Sequence, residues 1–439
     1  MIYKRAYTTP TMEALWDERA LLEAIVEVER ALAGVEAELG LIPHKAADEI
    51  GAAALSDAFM QRLAQGQVGN PLVGVLDALR AEVSEGGRAW IHYGATTQDI
   101  LDTARALQIR GGTELLIAEA DALADAVADL AERYATTPAV ARTNGQHALP
   151  TTLGTRFARW LAEIERNRER LAGMRLRTER IQFSGAAGTY ASLGEAGPRV
   201  ADHLAAALGL RYEYQPWHAS NDTMSELACT VAIWGQSLAK LAEDLFDMQR
   251  TDFGEAREDT DRHSSGSSTM PQKVNPFATM KIEVGGRLAA GMAATILMQP
   301  PASLERDHRL SEVQRDLIPQ LFVAVEGSCA HMLELLPRVR FDEAALQRNL
   351  NAEGVLLLTE SIMMELAPII GRDVAHDLLQ EFAQVHRESG VTLEDFIATR
   401  PEAAPLSGVD FHALSEPSSA SGLSAKLARD AAQHQRNQS

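Results

Sequence analysis

Apolar residues recur along most of this chain at three- and four-residue steps, the period of an amphipathic helix. Between residues 12 and 40, Leu15, Leu21, Ile25, Val28, Leu32 and Val35 trace one face, and Gly40 and Pro43 punctuate its end. Further helices are predicted over 46–65 and 71–84. Leu116, Ala120, Leu123, Val127 and Leu130 mark another that ends near 135, and 151–182 carries one more. The most sustained pattern lies in 224–252, where Leu227, Val231, Trp234, Leu238, Leu241, Leu245 and Met248 step alternately by four and three. Such a seam predicts a long helix with coiled-coil-like packing in a bundle. Segments 277–299 and 309–337 supply two more long helices, and shorter ones follow from 341. Strand signals are few, and no internal repeat stands out. Gly111-Gly112 is the clearest break in the first third. The expected fold is all-α: an N-terminal helical domain over 1–111, a central long-helix bundle over 112–340, and a small helical domain over 341–439.

Composition fits that picture. With 439 residues and 46% apolar content, the chain is an ordinary globular one with ample length for a large core. Aromatics are few while alanine and leucine abound, which favours helix packing over sheet. The formal charge of -20 argues against nucleic acid as a partner. An anionic substrate would then need a locally positive pocket. Cys229 and Cys329 sit in apolar helical surroundings and read as free buried thiols of a reducing compartment. No Cys/His pair has zinc spacing, so neither metal nor cofactor is expected. The first residues, Met1-Ile2-Tyr3-Lys4-Arg5, hold no apolar secretion core. The most apolar stretch, 355–370, is interrupted by Glu360 and Glu365 and is too short to span a bilayer. A cytoplasmic enzyme without membrane or nucleic-acid partners is the expectation.

Three polar stretches interrupt the helical pattern. The first is Ile91-His92-Tyr93-Gly94-Ala95-Thr96-Thr97-Gln98-Asp99, followed by Asp102-Thr103-Ala104. The second is Arg142-Thr143-Asn144-Gly145-Gln146-His147-Ala148-Leu149-Pro150-Thr151. The third lies within 261–276 and contains Gly266-Ser267-Ser268-Thr269-Met270-Pro271-Gln272-Lys273-Val274-Asn275-Pro276. A Ser/Gly segment alone would read as a linker. Its ordered combination with Met-Pro, Lys and Asn is far more specific. This loop resembles the signature Gly-Ser-Ser-x-Met-Pro-x-Lys-x-Asn-Pro of the fumarase/aspartase (fumarate lyase) superfamily. The other two blocks resemble those of adenylosuccinate lyases and 3-carboxy-cis,cis-muconate cycloisomerases. Tyr7-Thr8-Thr9-Pro10-x-Met12, the 67–73 segment and Leu304-Glu305-Arg306 point to the same branch. The resemblance implies a three-domain helical subunit, a homotetramer, and active sites that each collect the three blocks from three subunits.

It also implies a chemistry. Such enzymes eliminate a group next to a carbon whose proton lies alpha to a carboxylate, which creates a dianionic aci-carboxylate. The site must stabilise that extra charge. Lys273 supplies a cation, and Asn275 and loop N–H groups supply neutral donors. By resemblance the base is a loop serine, Ser267 first and Ser268 as its rival. Thr96, Thr97 and Thr143 offer hydroxyl donors to a small polyanion, though threonine at helix starts also serves as an N-cap. For Thr103 the structural role is preferred. His92 reads as a substrate ligand, a proton carrier or a satisfied structural histidine, and His147 carries the same alternatives. Gln98, Arg142 and Asn144 complete the substrate-binding blocks. Arg306 is expected to fork onto a carboxylate, whereas Arg315 has the look of a solvated side chain.

Departures narrow the activity. Adenylosuccinate lyases and fumarases carry Thr-His where this chain has Thr143-Asn144, and that histidine helps protonate the leaving group. Asparagine cannot do so. Adenylosuccinate lyases also have a histidine near Asn70, and relatives in both groups have arginines where Asn221 and Thr223 stand. Adenylosuccinate lyase activity itself is not expected. The leading expectation is β-elimination from a substituted succinate, releasing fumarate or a related enoate, with an amine or an anion such as nitrite leaving. The alternative is 3-carboxy-cis,cis-muconate cycloisomerase, whose leaving group is a carboxylate. A non-catalytic helical scaffold is opposed by the intact signature loop.

Overall fold

The computed structural model describes residues 7–53, 56–64, 70–259, 267, 269–416 and 420–438. It is mostly helical, as the periodicity predicts. The first helices are α1 (Pro10–Leu15), α2 (Glu18–Glu38), α3 (His44–Ala52), α4 (Asp57–Ala64), α5 (Pro71–Glu82) and α6 (Glu85–Arg88). Long helices follow: α7 (Thr97–Arg133), α8 (Leu153–Thr178), α10 (Asp222–Gln249), α11 (Phe277–Leu297) and α12 (His308–Leu335), with α9 (Gly197–Leu208) between the second and third of these. The last part holds α13 (Glu343–Leu350), α14 (Thr359–Ile370), α15 (Arg372–Ser389), α16 (Leu393–Ala398), α17 (Phe411–Leu414) and α18 (Ser424–Gln438).

The seam read from the sequence is buried: Leu227, Val231, Trp234, Leu238, Leu241, Leu245 and Met248 all lie inside on α10. The predicted helix over 12–40 is two helices, because Asp17 caps a fresh start by accepting Ala20 N–H at 2.7 Å. Gly111-Gly112 does not break the chain, for α7 runs straight through it. Close packing explains the glycines. A Cβ on Gly111 would meet Leu15 Cδ1 at 2.8 Å, and one on Gly112 would meet Phe322 Cδ1 at 2.8 Å. Helix propensity yields here to the approach of neighbouring side chains.

Strands also occur where none was expected. β1 (Pro138–Thr143) pairs antiparallel with β2 (Gln146–Thr152), joined through Asn144-Gly145. Both residues have positive φ, 52° and 77°. That is the backbone of a tight two-residue hairpin turn, for which Asn-Gly is the preferred sequence. β3 (Ala256–Glu258) pairs antiparallel with β4 (Val339–Phe341).

The described chain forms two compact units. Unit 1 comprises 1–121, 165–242 and 278–332, and unit 2 comprises 122–164, 243–277 and 333–439. In unit 1, α2 packs on α3, α5 and α9 around a core that includes Ile25, Leu32, Phe59, Leu79, Ile100 and Leu204. Unit 2 has a C-terminal core of Leu358, Ile362, Leu366, Phe382, Phe396 and Leu406. Tyr134, Phe157, Trp160 and Phe341 form an aromatic cluster elsewhere in unit 2. Among the described residues no helix is long and apolar enough to cross a membrane. Cys329 is buried, while Cys229 is only half-buried, and both are free thiols.

Candidate active site

The candidate residues fall in two groups, one in each unit. In unit 1 the turn 91–96 leads into α7, and Asp99 organises it. Its carboxylate accepts backbone N–H bonds from Thr96 at 3.0 Å, Ser184 at 3.1 Å and Gly185 at 2.9 Å, and meets His218 Nε2 at 3.0 Å. Reaching back from the first helical turn to the preceding N–H is a helix-capping arrangement. Thr96 is thereby fixed, and its hydroxyl accepts a hydrogen bond from Arg306 Nη1 at 2.9 Å. The structure thus brings together two predicted residues far apart in the sequence. Thr97 opens α7 and is half-buried.

Gln98 is placed differently from an open ligand. It is buried, and its amide nitrogen donates to Asp102 at 2.9 Å and to the His218 carbonyl at 3.1 Å. Thr103 is structural as expected: its hydroxyl donates to Gln182 O and accepts from Gln182 N, both at 2.9 Å. His92 has a positive φ of 63°, a conformation costing a non-glycine residue about 1–2 kcal/mol, though histidine tolerates it better than most. Its Nδ1 lies 2.7 Å from Glu29 Oε1 on α2. Unit 1 also holds a cavity of about 240 Å³ lined by Trp16, Pro71, Leu101, Arg105, Gln108 and Arg315. Arg315 is not merely solvated: besides lining this cavity, it pairs with Glu312 at 2.6 Å.

In unit 2 the β1–β2 hairpin carries the second block. Arg142 is committed to Glu255 through two hydrogen bonds, at 2.6 and 3.1 Å, and stacks over the Phe253 ring with 4.2 Å to the centroid. Asn349 donates to the same carboxylate at 2.8 Å. Burial pushes the Glu255 carboxyl up, but the bonds from Arg142 and Asn349 outweigh it and hold it below its ordinary value. Thr143 and Asn144 are exposed at the hairpin tip, and His147 is half-buried on β2.

The signature loop also belongs to unit 2. Ser268 and residues 261–266 lie outside the described residues. Ser267 Oγ accepts backbone N–H bonds from Met270 at 3.0 Å and Thr269 at 3.3 Å, while its own N–H donates to the Lys273 carbonyl at 3.3 Å. A cavity of about 970 Å³ lies beside the loop, lined by Gln249, Arg257, Met270, Lys273, Arg340 and Glu343 among others. Asn275 accepts from Phe277 N at 2.9 Å and leads the chain into α11.

The departures from the family pattern have local explanations. Asn70 caps α5, accepting Leu72 N–H at 3.2 Å. Asn221 bonds to Gln314, and to Ser225 at 3.2 Å. Thr223 is buried and accepts from Arg180 Nη2 at 3.4 Å. Asn144 supplies a left-handed turn residue.

Sequence reasoning missed Glu29, Glu36 and Glu255. The first two carried a signal: Leu22, Ile25, Glu29, Leu32 and Glu36 share one helical stripe, so two carboxyls stand at core positions. Both are buried, and neither oxygen of Glu36 has a hydrogen-bond partner. Burial, and then the charge of Glu29, push the Glu36 carboxyl up to about 9. Glu36 is therefore neutral near pH 7.

Long helices packed around apolar seams define a mostly helical fold of the bundle class. A family model described as "Lyase" matches residues 4–290. The chain belongs to this lyase family, within the fumarase/aspartase superfamily. It is 33% identical over 423 residues to a 3-carboxy-cis,cis-muconate cycloisomerase of Pseudomonas aeruginosa, covering 95% of this chain and 92% of the relative. It is 34% identical over 433 residues to an adenylosuccinate lyase of Methanocaldococcus jannaschii, covering 96% and 93%. The crystal structure of a fumarate lyase from Mesorhizobium sp. BNC1 superposes with a TM-score of 0.88 at 31% identity, covering 97% of this chain and 98% of that one.

Proposed function

We propose that the protein is a lyase acting by β-elimination on a substituted succinate, with Ser267 taking the proton alpha to a carboxylate and fumarate or a related enoate leaving. The observation that carries this reading is the pair of backbone N–H groups aimed at Ser267 Oγ. A serine is a usable base only where donors stabilise its alkoxide, and these two are fixed by the loop before reaction begins. Ser268 is the rival within the same signature. Lys273 and Asn275 stabilise the aci-carboxylate that forms. Arg306 and Thr96 hold the other carboxylate. A hydroxyl accepting from Arg306 turns its own hydrogen outward, so guanidinium and hydroxyl both offer donors to one anion. Thr97 and Thr143 extend that donor set, and His92 is a further substrate contact.

A homotetramer sharing its active sites, built from three-domain subunits, is part of the proposal. It is supported by an exposed apolar stripe on α11, Met280, Val284 and Leu288, which a monomer would leave in water. The leaving group is an anion such as a carboxylate or nitrite, because Asn144 cannot donate as an acid would. If His147 takes that role, an amine leaves instead and the enzyme is a C–N lyase. The second reading, 3-carboxy-cis,cis-muconate cycloisomerase, is favoured by the relative from Pseudomonas aeruginosa. Its intramolecular addition of a carboxylate uses the same base and the same charge stabilisation.

The test is direct. Purified protein is incubated with a panel of amino-, nitro- and acyloxy-substituted succinates and with 3-carboxy-cis,cis-muconate, and enoate absorbance is followed. Turnover of a succinate supports the lyase. Turnover of the muconate alone establishes the cycloisomerase, and no turnover of either argues for a scaffold.

A further inference from the structure

We propose that Glu29 is a positioning residue whose buried carboxylate holds Nδ1 of His92 and so presents Nε2 of that ring to the bound substrate. This deepens the reading above and rests on the turn 91–96 being a substrate-binding turn. Four observations combine. The Nδ1 to Oε1 distance is 2.7 Å, a short, charge-assisted contact. Glu29 is 2% exposed, so its carboxylate has no water shell to fall back on. His92 holds a left-handed backbone conformation, which is costly for a non-glycine residue and needs a compensating contact to persist. The His92 side chain keeps 17% of its surface exposed while that of Glu29 keeps 1%, so the open part of the pair belongs to the imidazole.

The chemistry follows from the tautomer. A carboxylate accepts and cannot donate, so the proton between the two groups sits on Nδ1. Nε2 is then the nitrogen left for the substrate, in a ring that cannot flip without stranding a buried charge. Glu36, two turns along α2, adds to this selection. Being neutral, it does not compete with Glu29 for the ring proton, and the contact that Glu29 makes is with His92 Nδ1. The same geometry is known at metal sites, where a carboxylate behind an imidazole fixes which nitrogen works.

The experiment separates this inference from the proposed reaction by reading the ring itself. The protein is labelled with 15N-histidine, and the two ring nitrogens of His92 are identified by their loss in His92→Gln. The expected spectrum shows a protonated Nδ1 in the wild type and in Glu29→Gln, whose amide oxygen still accepts. In Glu29→Leu the proton redistributes toward Nε2. An unchanged ring spectrum in Glu29→Leu overturns the proposal whatever the enzyme's reaction is. Kinetics on whichever panel substrate is turned over supply the second arm. Glu29→Leu should lower kcat/KM at least tenfold, Glu29→Gln should retain most of it, and Glu29→Leu should cost nothing further in a His92→Gln background. Equal losses in the Gln and Leu variants, or additive losses with His92→Gln, overturn it, because a purely structural carboxylate would behave that way. Equal circular dichroism of the variants establishes that folding is not what is read.

Discussion

Arg306 Nη1 donates to Thr96 Oγ1 at 2.9 Å, a contact that closes 210 residues of chain onto one turn. Asp99 fixes that turn through three backbone N–H groups, so the threonine is held before any ligand arrives. In the proposed reaction the pair acts as one donor unit toward a carboxylate.

Removing the guanidinium should therefore cost more than removing the hydroxyl. A hydrogen bond to a charged group contributes about 1.5–3 kcal/mol, so Arg306→Ala should lower kcat/KM roughly 10- to 150-fold. Arg306→Lys keeps the charge and loses the fork, and should recover only part of that loss. Thr96→Ala should cost less, and combining it with Arg306→Ala should cost less than the sum. Additive effects in this double-mutant cycle would show that the two residues act separately.

Much of this architecture was legible in the sequence, and the exceptions have physical causes. The a/d seam of α10 follows from periodicity alone, because burial of a continuous apolar stripe dictates a helix. Gly111-Gly112 misled because local propensity cannot see that Leu15 and Phe322 press on those positions. The β1–β2 hairpin was missed although Asn144-Gly145 carries the strongest short hairpin signal, since polar side chains hid the alternation around it. For the candidate site, the family resemblance named Thr96 and Arg306, but not that they hydrogen-bond to each other, that Arg142 is committed to Glu255 or Gln98 to Asp102. A motif names residue types, whereas partners are chosen by tertiary packing. Glu29 and Glu36 were the readable clue that went unread, two carboxyls on a core stripe.

Glu36 makes stability depend on pH in a definite direction. Its folded value is raised to about 9 from an ordinary 4.5, by burial and then by the charge of Glu29. The folded state therefore binds more protons than the unfolded one between those limits. Stability is greatest below the unfolded value and is lost as pH rises toward 9, by up to about 1.4 kcal/mol per pH unit for this one group. Glu36→Gln removes the titration. It should melt close to the wild type at pH 5 and clearly above it at pH 8. A gap that is the same at both values would mean that Glu36 does not stay neutral in the fold.

In the proposed reaction, Asn144 and His147 bear on how the leaving group departs. If it leaves as a stable anion, kcat/KM should rise with pH to a plateau as the base becomes available, with no enzyme-derived fall at high pH. Asn144→His should then bring little benefit, and the turn should tolerate it, since histidine is among the residues that accept positive φ. His147→Asn should keep most of the rate, and Ser267→Ala should remove nearly all of it. A bell-shaped profile together with a large loss in His147→Asn would make His147 the acid and favour an amine leaving group. Full activity in both His147→Asn and Ser267→Ala would place the base outside this loop.

The last expectation concerns the assembly. Met280, Val284 and Leu288 recur on one side of α11 at steps of four, and each stays exposed in the isolated chain. Three large apolar side chains in register on a helix are the pattern of a face that another helix covers. Light scattering should give a mass near four chains for the wild type, and Val284→Glu with Leu288→Glu should reduce it. Loss of activity should accompany the loss of mass, because the proposed site draws its blocks from different subunits. Complementation then tells shared sites from mere association. Ser267→Ala and Thr97→Ala proteins, each inactive alone, should regain part of the activity when mixed under conditions of subunit exchange. The reason is that some sites in the mixed tetramers would combine an intact Ser267 from one subunit with an intact Thr97 from another. A fully active monomer, or mixtures that stay inactive despite demonstrated exchange, would show that each chain builds its site alone.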